Sequence, residues 1–161
     1  MCGSRIFRSR ISDDFMVLKE RQRAMGRLKS IHKEEFERFG KVLEFSEKCA
    51  EPFEIVITEE KEPWRLAVFR YTNKTIRRME CHPTSLESFE PLSGITVLVV
   101  AEHEKPEDYE AFVLDKPVCL YKGIWHQVIA LTDEAQVKIA ENLEVNSEFY
   151  DFEKEIEIKA V

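Results

Sequence analysis

Short runs of alternating apolar and polar residues, about ten residues apart and each closed by a turn former, constrain this chain more than any other feature. Arg65-Leu-Ala-Val-Phe-Arg-Tyr71, Ile76 to His82, Ala111-Phe-Val-Leu114, Val118 to Tyr121 and Trp125 to Leu131 all read as strands. Pro52, Pro63, Asn73, Asp115-Lys-Pro117 and Lys122-Gly123 separate them. Phe53 to Ile57 and Lys41 to Phe45 extend the series toward the N-terminus. Ile95-Thr-Val-Leu-Val-Val-Ala101 is almost continuously apolar, as expected of a strand covered on both faces, and is far too short to span a bilayer, which takes ~20 residues. Eight to ten such strands with little helix predict an antiparallel sandwich or barrel. One or two helical turns are expected in His32-Lys-Glu-Glu-Phe-Glu-Arg-Phe-Gly40, where the glycine stops them.

Two stretches leave the reading open. Thr132 to Asn142 carries Asp133 and Gln136 at capping-box spacing, yet Ala135, Val137 and Ile139 alternate as in a strand. The tail from Phe149 to Val161 alternates again, through Phe152, Ile156 and Ile158, and predicts a final strand at a sheet edge or across a dimer. Residues 1–27 lack clean periodicity, are rich in arginine and contain Met16 and Met25, which suggests a flexible extension or a start set too early. The domain expected is therefore 28–161, and 161 residues with 43% hydrophobic content suffice for one core.

Charge and cysteine usage narrow the function classes. Residues 1–30 hold 8 basic and 3 acidic side chains and the remainder 16 and 28, so the body is strongly acidic. Such a surface argues against nucleic acid as partner. Cys2, Cys49, Cys81 and Cys119 show no CxxC spacing, which points to a reducing cytoplasm rather than a disulfide or structural zinc framework. Cys81 and Cys119 read as small buried hydrophobes, and His32 and His103, in charged contexts, as solvated.

Chemistry concentrates between Glu80 and Gly94, where the spacing is E-x-H-x4-E-x6-G. On a strand Glu80 and His82 project from the same face. Gly123-Ile-Trp-His126 offers a second imidazole after a tight turn. The two segments resemble the paired motifs of the cupin barrels, with Glu80 where a first histidine usually stands. More specifically, Phe69-Arg70, Glu80-Cys-His-Pro-x-Ser-x-Glu-x-Phe-x-Pro-Leu92, Val97-x-Val-Val-Ala101, Ala111-Phe112 and Gly123-Ile-Trp-His126 are similar, in the same order, to the ureidoglycolate lyase family. Departures fall at Cys81, Glu87, Cys119 and Gln127, where the family carries Arg, Gln, Asn and His.

The resemblance implies an all-β, cupin-like jelly-roll barrel (a double-stranded β-helix) with one or two short helices. It also implies a homodimer acting on a small carboxylated substrate, ureidoglycolate, and releasing urea and glyoxylate during purine breakdown. Elimination of urea needs a base for the hydroxyl proton and an acid for the departing nitrogen. Glu80, His82, Glu87 and His126 are the catalytic candidates. Arg70 is assigned to the substrate carboxylate, with Trp125 and Gln127 as further substrate contacts. No cofactor is required for this chemistry. His82, Glu87 and His126 nevertheless make a two-histidine, one-carboxylate set suited to a divalent metal, which Glu87 favours. A small-acid-binding cupin without turnover and a metal-dependent cupin isomerase or oxygenase are the alternatives.

Overall fold

A computed structural model describes residues 28–44, 46–49, 55–59 and 63–158. The proposed extension at 1–27 lies outside the described residues. Among the described residues, eleven strands and one helical turn follow in order: β1 (Leu28–Ser30), α1 (Lys33–Phe36), β2 (Gly40–Val42), β3 (Trp64–Tyr71), β4 (Thr75–Cys81), β5 (Glu87–Ser93), β6 (Thr96–Ala101), β7 (Glu110–Val113), β8 (Val118–Leu120), β9 (Trp125–Ala130), β10 (Ala135–Asn142) and β11 (Glu148–Glu157). They form a six-stranded sheet, β1-β7-β6-β9-β4-β11, and a five-stranded sheet, β2-β8-β5-β10-β3. Every pairing is antiparallel except that of β1 with β7. Consecutive strands repeatedly change sheet, as in the expected cupin-like jelly roll.

The main core lies between the sheets. Leu98, Val100, Phe112 and Val128 from the first sheet meet Phe89, Val118, Leu120 and Val137 from the second. Burying each such side chain contributes roughly 1.5–3 kcal/mol before entropy is charged against it. Phe36 and Phe39, from α1 and the turn after it, pack edge-on against Phe112 at 5.3 and 5.9 Å. Strand β6 is buried along its whole length, as its unbroken apolar run predicts. Its other face, with Val97, Val99 and Ala101, belongs to a second apolar cluster that includes Met79, Cys81, Trp125, Ile129 and Ile156. This cluster lies on the far side of the six-stranded sheet, where β11 curls across β4 through a register shift between Asp151 and Ile156.

Several expectations are resolved here. Residues 135–142 form a strand, because Val137 and Ile139 face the main core while β10 is flanked by β3 and β5. Strand β11 is the edge strand read from the C-terminal alternation. The strand expected over Phe53 to Ile57 is not present in its described part, residues 55–57. Pro91 does not interrupt β5: it lies past the last residue paired with β8, at Phe89, so its missing N–H costs no ladder bond on that side. Opposite it, the β10 register shifts between Gln136 and Val137. Gly94 ends the strand with φ +70, where a Cβ would fall 2.3 Å from the Glu134 carbonyl oxygen. No helix among the described residues is long and apolar enough to cross a membrane.

Candidate active site

The site is assembled by strand parity and by one backbone tie. Glu80 and His126 are direct partners across β4 and β9, and Val100, on the other side of β9, is the partner of His126 and lies in the main core. His126 therefore points between the sheets. His82, just past the end of β4, is fixed from the opposite direction, its carbonyl accepting a hydrogen bond from Gly123 N at 2.9 Å. Gly123 has φ +80, which its residue type allows at little cost, so the turn that precedes His126 is pinned to the strand that carries His82. Glu87 opens β5 in the facing sheet and closes the group from across the barrel.

Within this group, Glu87 Oε2 lies 2.8 Å from His126 Nε2 and 3.2 Å from His82 Nε2. The two imidazoles are 5.1 Å apart. All three side chains are at least nine-tenths buried, and Phe89 packs edge-on against His126 at 5.6 Å. Glu80 is the open member: its side chain is 39% exposed and its Oε1 stands 3.9 Å from His126 Nε2. His126 Nδ1 is 3.0 Å from the Ile124 carbonyl oxygen, which can only accept, so Nδ1 carries a proton. His82 Nδ1 meets Ser147 Oγ at 3.2 Å and the Asn146 carbonyl at 3.4 Å.

Electrostatics follow from that packing. Burial alone would hold His126 neutral, but the Glu87 carboxylate overrides it and lifts the group from 6.5 to about 9. Burial likewise pushes the Glu87 acid up, while His126 and His82 pull it down from 4.5 to about 2. The pair thus stands as imidazolium and carboxylate near neutrality. Although 2.8 Å apart, Glu87 Oε2 and His126 Nε2 lie off the line that a hydrogen bond needs, and both are buried without an aligned partner. Native proteins leave few buried polar atoms in this state, so the two mark the centre of the site.

The structure thus brings Glu80, His82, Glu87 and His126 together, and it separates the three residues assigned to substrate contact. Trp125 and Gln127 flank His126 and so point to the other face of the sheet. Trp125 belongs to the second apolar cluster, and its Nε1 donates to the His103 carbonyl at 2.8 Å. Gln127 Nε2 reaches the Arg78 carbonyl at 3.3 Å, and its Oε1 accepts from the Val128 amide at 2.8 Å. Arg70 lies on the outside of β3, 68% exposed and 3.2 Å from Glu134, because its neighbour Tyr71 takes the inward position.

A nearer cation is Arg65, five residues earlier and therefore of opposite parity. Its Nε and Nη2 donate to Glu141 Oε1 at 3.0 and 2.8 Å. Glu141 is the cross-strand partner of Glu87, and carboxylate oxygens of both lie within 4.8 Å of each other and of a His82 nitrogen. The Ala135, Val137, Ile139 alternation continued to Glu141 places it inward; only the competing helical reading of 132–142 hid it. Nothing in the sequence announces Ser147. Ser85, by contrast, has a structural task, its Oγ accepting from the Asn142 amide at 3.0 Å and donating to the Leu86 carbonyl at 2.7 Å. Cys81 and Cys119 are buried, as expected, and burial raises each thiol to about 11.

Comparison with known proteins gives a family match over most of the chain. The family model described as ureidoglycolate lyase matches residues 24–159. No curated protein matches the chain. Among solved structures, it is similar to CapF with the inhibitor 3-isopropenyl-tropolone, at 17% identity and TM-score 0.48 over 56% of this chain and 29% of that one. RmlC from Streptococcus suis in complex with dTDP-D-xylose gives 16% identity and TM-score 0.44 over 51% and 45%. An oxalate decarboxylase mutant from Bacillus subtilis gives 15% and 0.43 over 56% and 24%. The alignments thus span less than half the length of each of these structures.

Proposed function

We propose, from the premise that the chain belongs to the ureidoglycolate lyase family, that its inner site releases urea and glyoxylate from ureidoglycolate by general acid/base elimination. The observation that carries this reading is the buried Glu87–His126 pair with Glu80 beside it. In ureidoglycolate the hydroxyl oxygen and the urea nitrogen are attached to one carbon, roughly 2.3 Å apart by standard bond lengths. A base and an acid serving those two atoms must therefore converge, and Glu80 Oε1 and His126 Nε2, 3.9 Å apart, do so.

In the proposed sequence Glu80, the solvent-accessible member of the group, accepts the hydroxyl proton as the carbonyl forms. The carbon–nitrogen bond breaks, and His126 Nε2, kept protonated by Glu87, delivers its proton to the departing nitrogen. Glu87 then holds His126 ready to be protonated again, and His82, anchored at Nδ1 by Ser147, holds Glu87 in place. Positioned acids and bases of this kind each contribute typically about 10²–10⁴-fold. Arg65, rather than Arg70, is the cation placed to meet the substrate carboxylate, through guanidinium N–H groups that Glu141 does not use.

One observation favours a second reading. Two buried donor atoms without aligned partners also suit a divalent ion, and His82, Glu87 and His126 would hold it. When bound, such an ion would supply Lewis-acid polarisation of a substrate oxygen. Glu80, whose ligand atom lies within 4.8 Å of those of His82 and His126, would then be a further ligand, while Arg65 keeps its role in either case.

The test is direct. Purified chain mixed with ureidoglycolate is expected to form glyoxylate and urea in equal amounts, and Glu80→Gln, which removes the proposed base, is expected to lose that turnover. Retained glyoxylate binding without turnover in the wild-type chain would replace the lyase by a small-acid-binding protein. Metal analysis of untagged protein, before and after His126→Ala, decides the second reading. The assembly we propose is a homodimer, which light scattering would register as twice the 19.0 kDa chain mass.

A further inference from the structure

Behind the candidate active site, on the outer face of the same sheet, three electron-rich atoms converge from three different elements. Cys81 Sγ projects from the end of β4 and lies 3.8 Å from His103 Nδ1, on the turn after β6. Glu148, at the start of β11, is the cross-strand partner of Cys81, so its carboxylate is carried beside the thiol. Ligand atoms of all three fall within 4.8 Å of one another.

From this geometry we infer that Cys81, His103 and Glu148 form a second site, for a thiophilic divalent metal ion and zinc above others. Zinc takes a thiolate at about 2.3 Å and an imidazole nitrogen at about 2.0–2.1 Å in tetrahedral geometry. Those lengths put sulfur and nitrogen about 3.5 Å apart on a shared ion, close to the separation seen here. A direct S–H to nitrogen hydrogen bond at 3.8 Å would be weak, so the approach has little value of its own.

Two of the three ligands are already fixed. The His103 ring lies parallel to Trp125, with centroids 5.7 Å apart and planes 3° from parallel, and the Trp125 Nε1 bond to the His103 carbonyl holds its backbone. Cys81 is fully buried in a regular register. Glu148 and His103 are solvent-exposed, which gives an ion a way in. Three protein ligands leave a fourth position for water, and binding releases the thiol proton to solvent. The site shares no residue with the candidate active site, so its existence does not depend on the proposed lyase activity.

Co²⁺ serves as the spectroscopic probe on the full, reduced, untagged chain. A thiolate-to-cobalt charge-transfer band saturating at one equivalent and bleached by Zn²⁺ is expected. His103→Ala, which removes an exposed ring, is expected to weaken Co²⁺ binding at least tenfold. Cys81→Ser is expected to abolish the band, and Cys119→Ser and His126→Ala to leave it intact. Absence of the band in the wild-type chain would overturn the site, as would undiminished affinity in His103→Ala or loss of the band in Cys119→Ser.

Discussion

The inner and outer faces of the sheet around β4 and β9 carry adjacent residues with opposite chemistry. His82 and His126 look into the barrel and share the Glu87 carboxylate. Their neighbours Cys81 and Trp125 look outward into the second apolar cluster. The inner group is buried, charged and lacks aligned partners at its two central atoms, whereas the outer group is stacked, hydrogen-bonded and open at one edge. A strand thus serves two unrelated environments at a spacing of one residue, and a change at either position should be felt on its own side only.

The largest expected contrast is between neighbours. His126→Asn removes the proposed acid and is expected to lower kcat by about 10²–10⁴-fold, while Gln127→Ala stays within about twofold. A comparable loss in Gln127→Ala would show that the outer face reaches the chemistry.

The next contrast is between two arginines on one strand. Arg65→Ala is expected to raise KM about tenfold, the scale of one charge-assisted hydrogen bond, and Arg70→Ala to leave it unchanged. Steady-state kinetics on both variants would reverse the assignment if Arg70 proved the sensitive one.

A smaller effect sharpens the electrostatic side of the comparison. His126 is raised in the folded state, so its contribution to stability is fully present below its unfolded value of 6.5 and disappears as pH rises through about 9. Glu87 is depressed, so its contribution is present above 4.5 and disappears as pH falls through about 2. Tm of the wild-type chain should therefore decline between pH 6.5 and 9 by several degrees, and Glu87→Gln should flatten that decline. An equal slope in both proteins would mean that the pair does not govern it.

How much was legible follows from the kind of signal each residue gives. Glu80, His82, Glu87 and His126 stand in spaced motifs on strands whose alternation is clear, so their shared face could be read. Trp125 and Gln127 are singled out by the family motif around His126, but both adjoin it on one strand, and adjacency on a strand means the opposite face. Arg70 is singled out by the Phe69-Arg70 motif, whereas Arg65, of opposite parity, stands in no motif. Glu141 was obscured by a segment that fits both a helical cap and a strand, and the flanking strands β3 and β5 settled it by pairing on both sides.

By itself the amino-acid sequence determined the all-β architecture, the inward side chains of its clearest strands and the family, because hydrophobic alternation and turn chemistry act over a few residues. Only the tertiary structure decided which distant groups meet. Contact between Glu87 and His126, between Arg65 and Glu141, or between Cys81 and His103 depends on how two sheets face each other and where a loop turns back, and no local spacing encodes those distances.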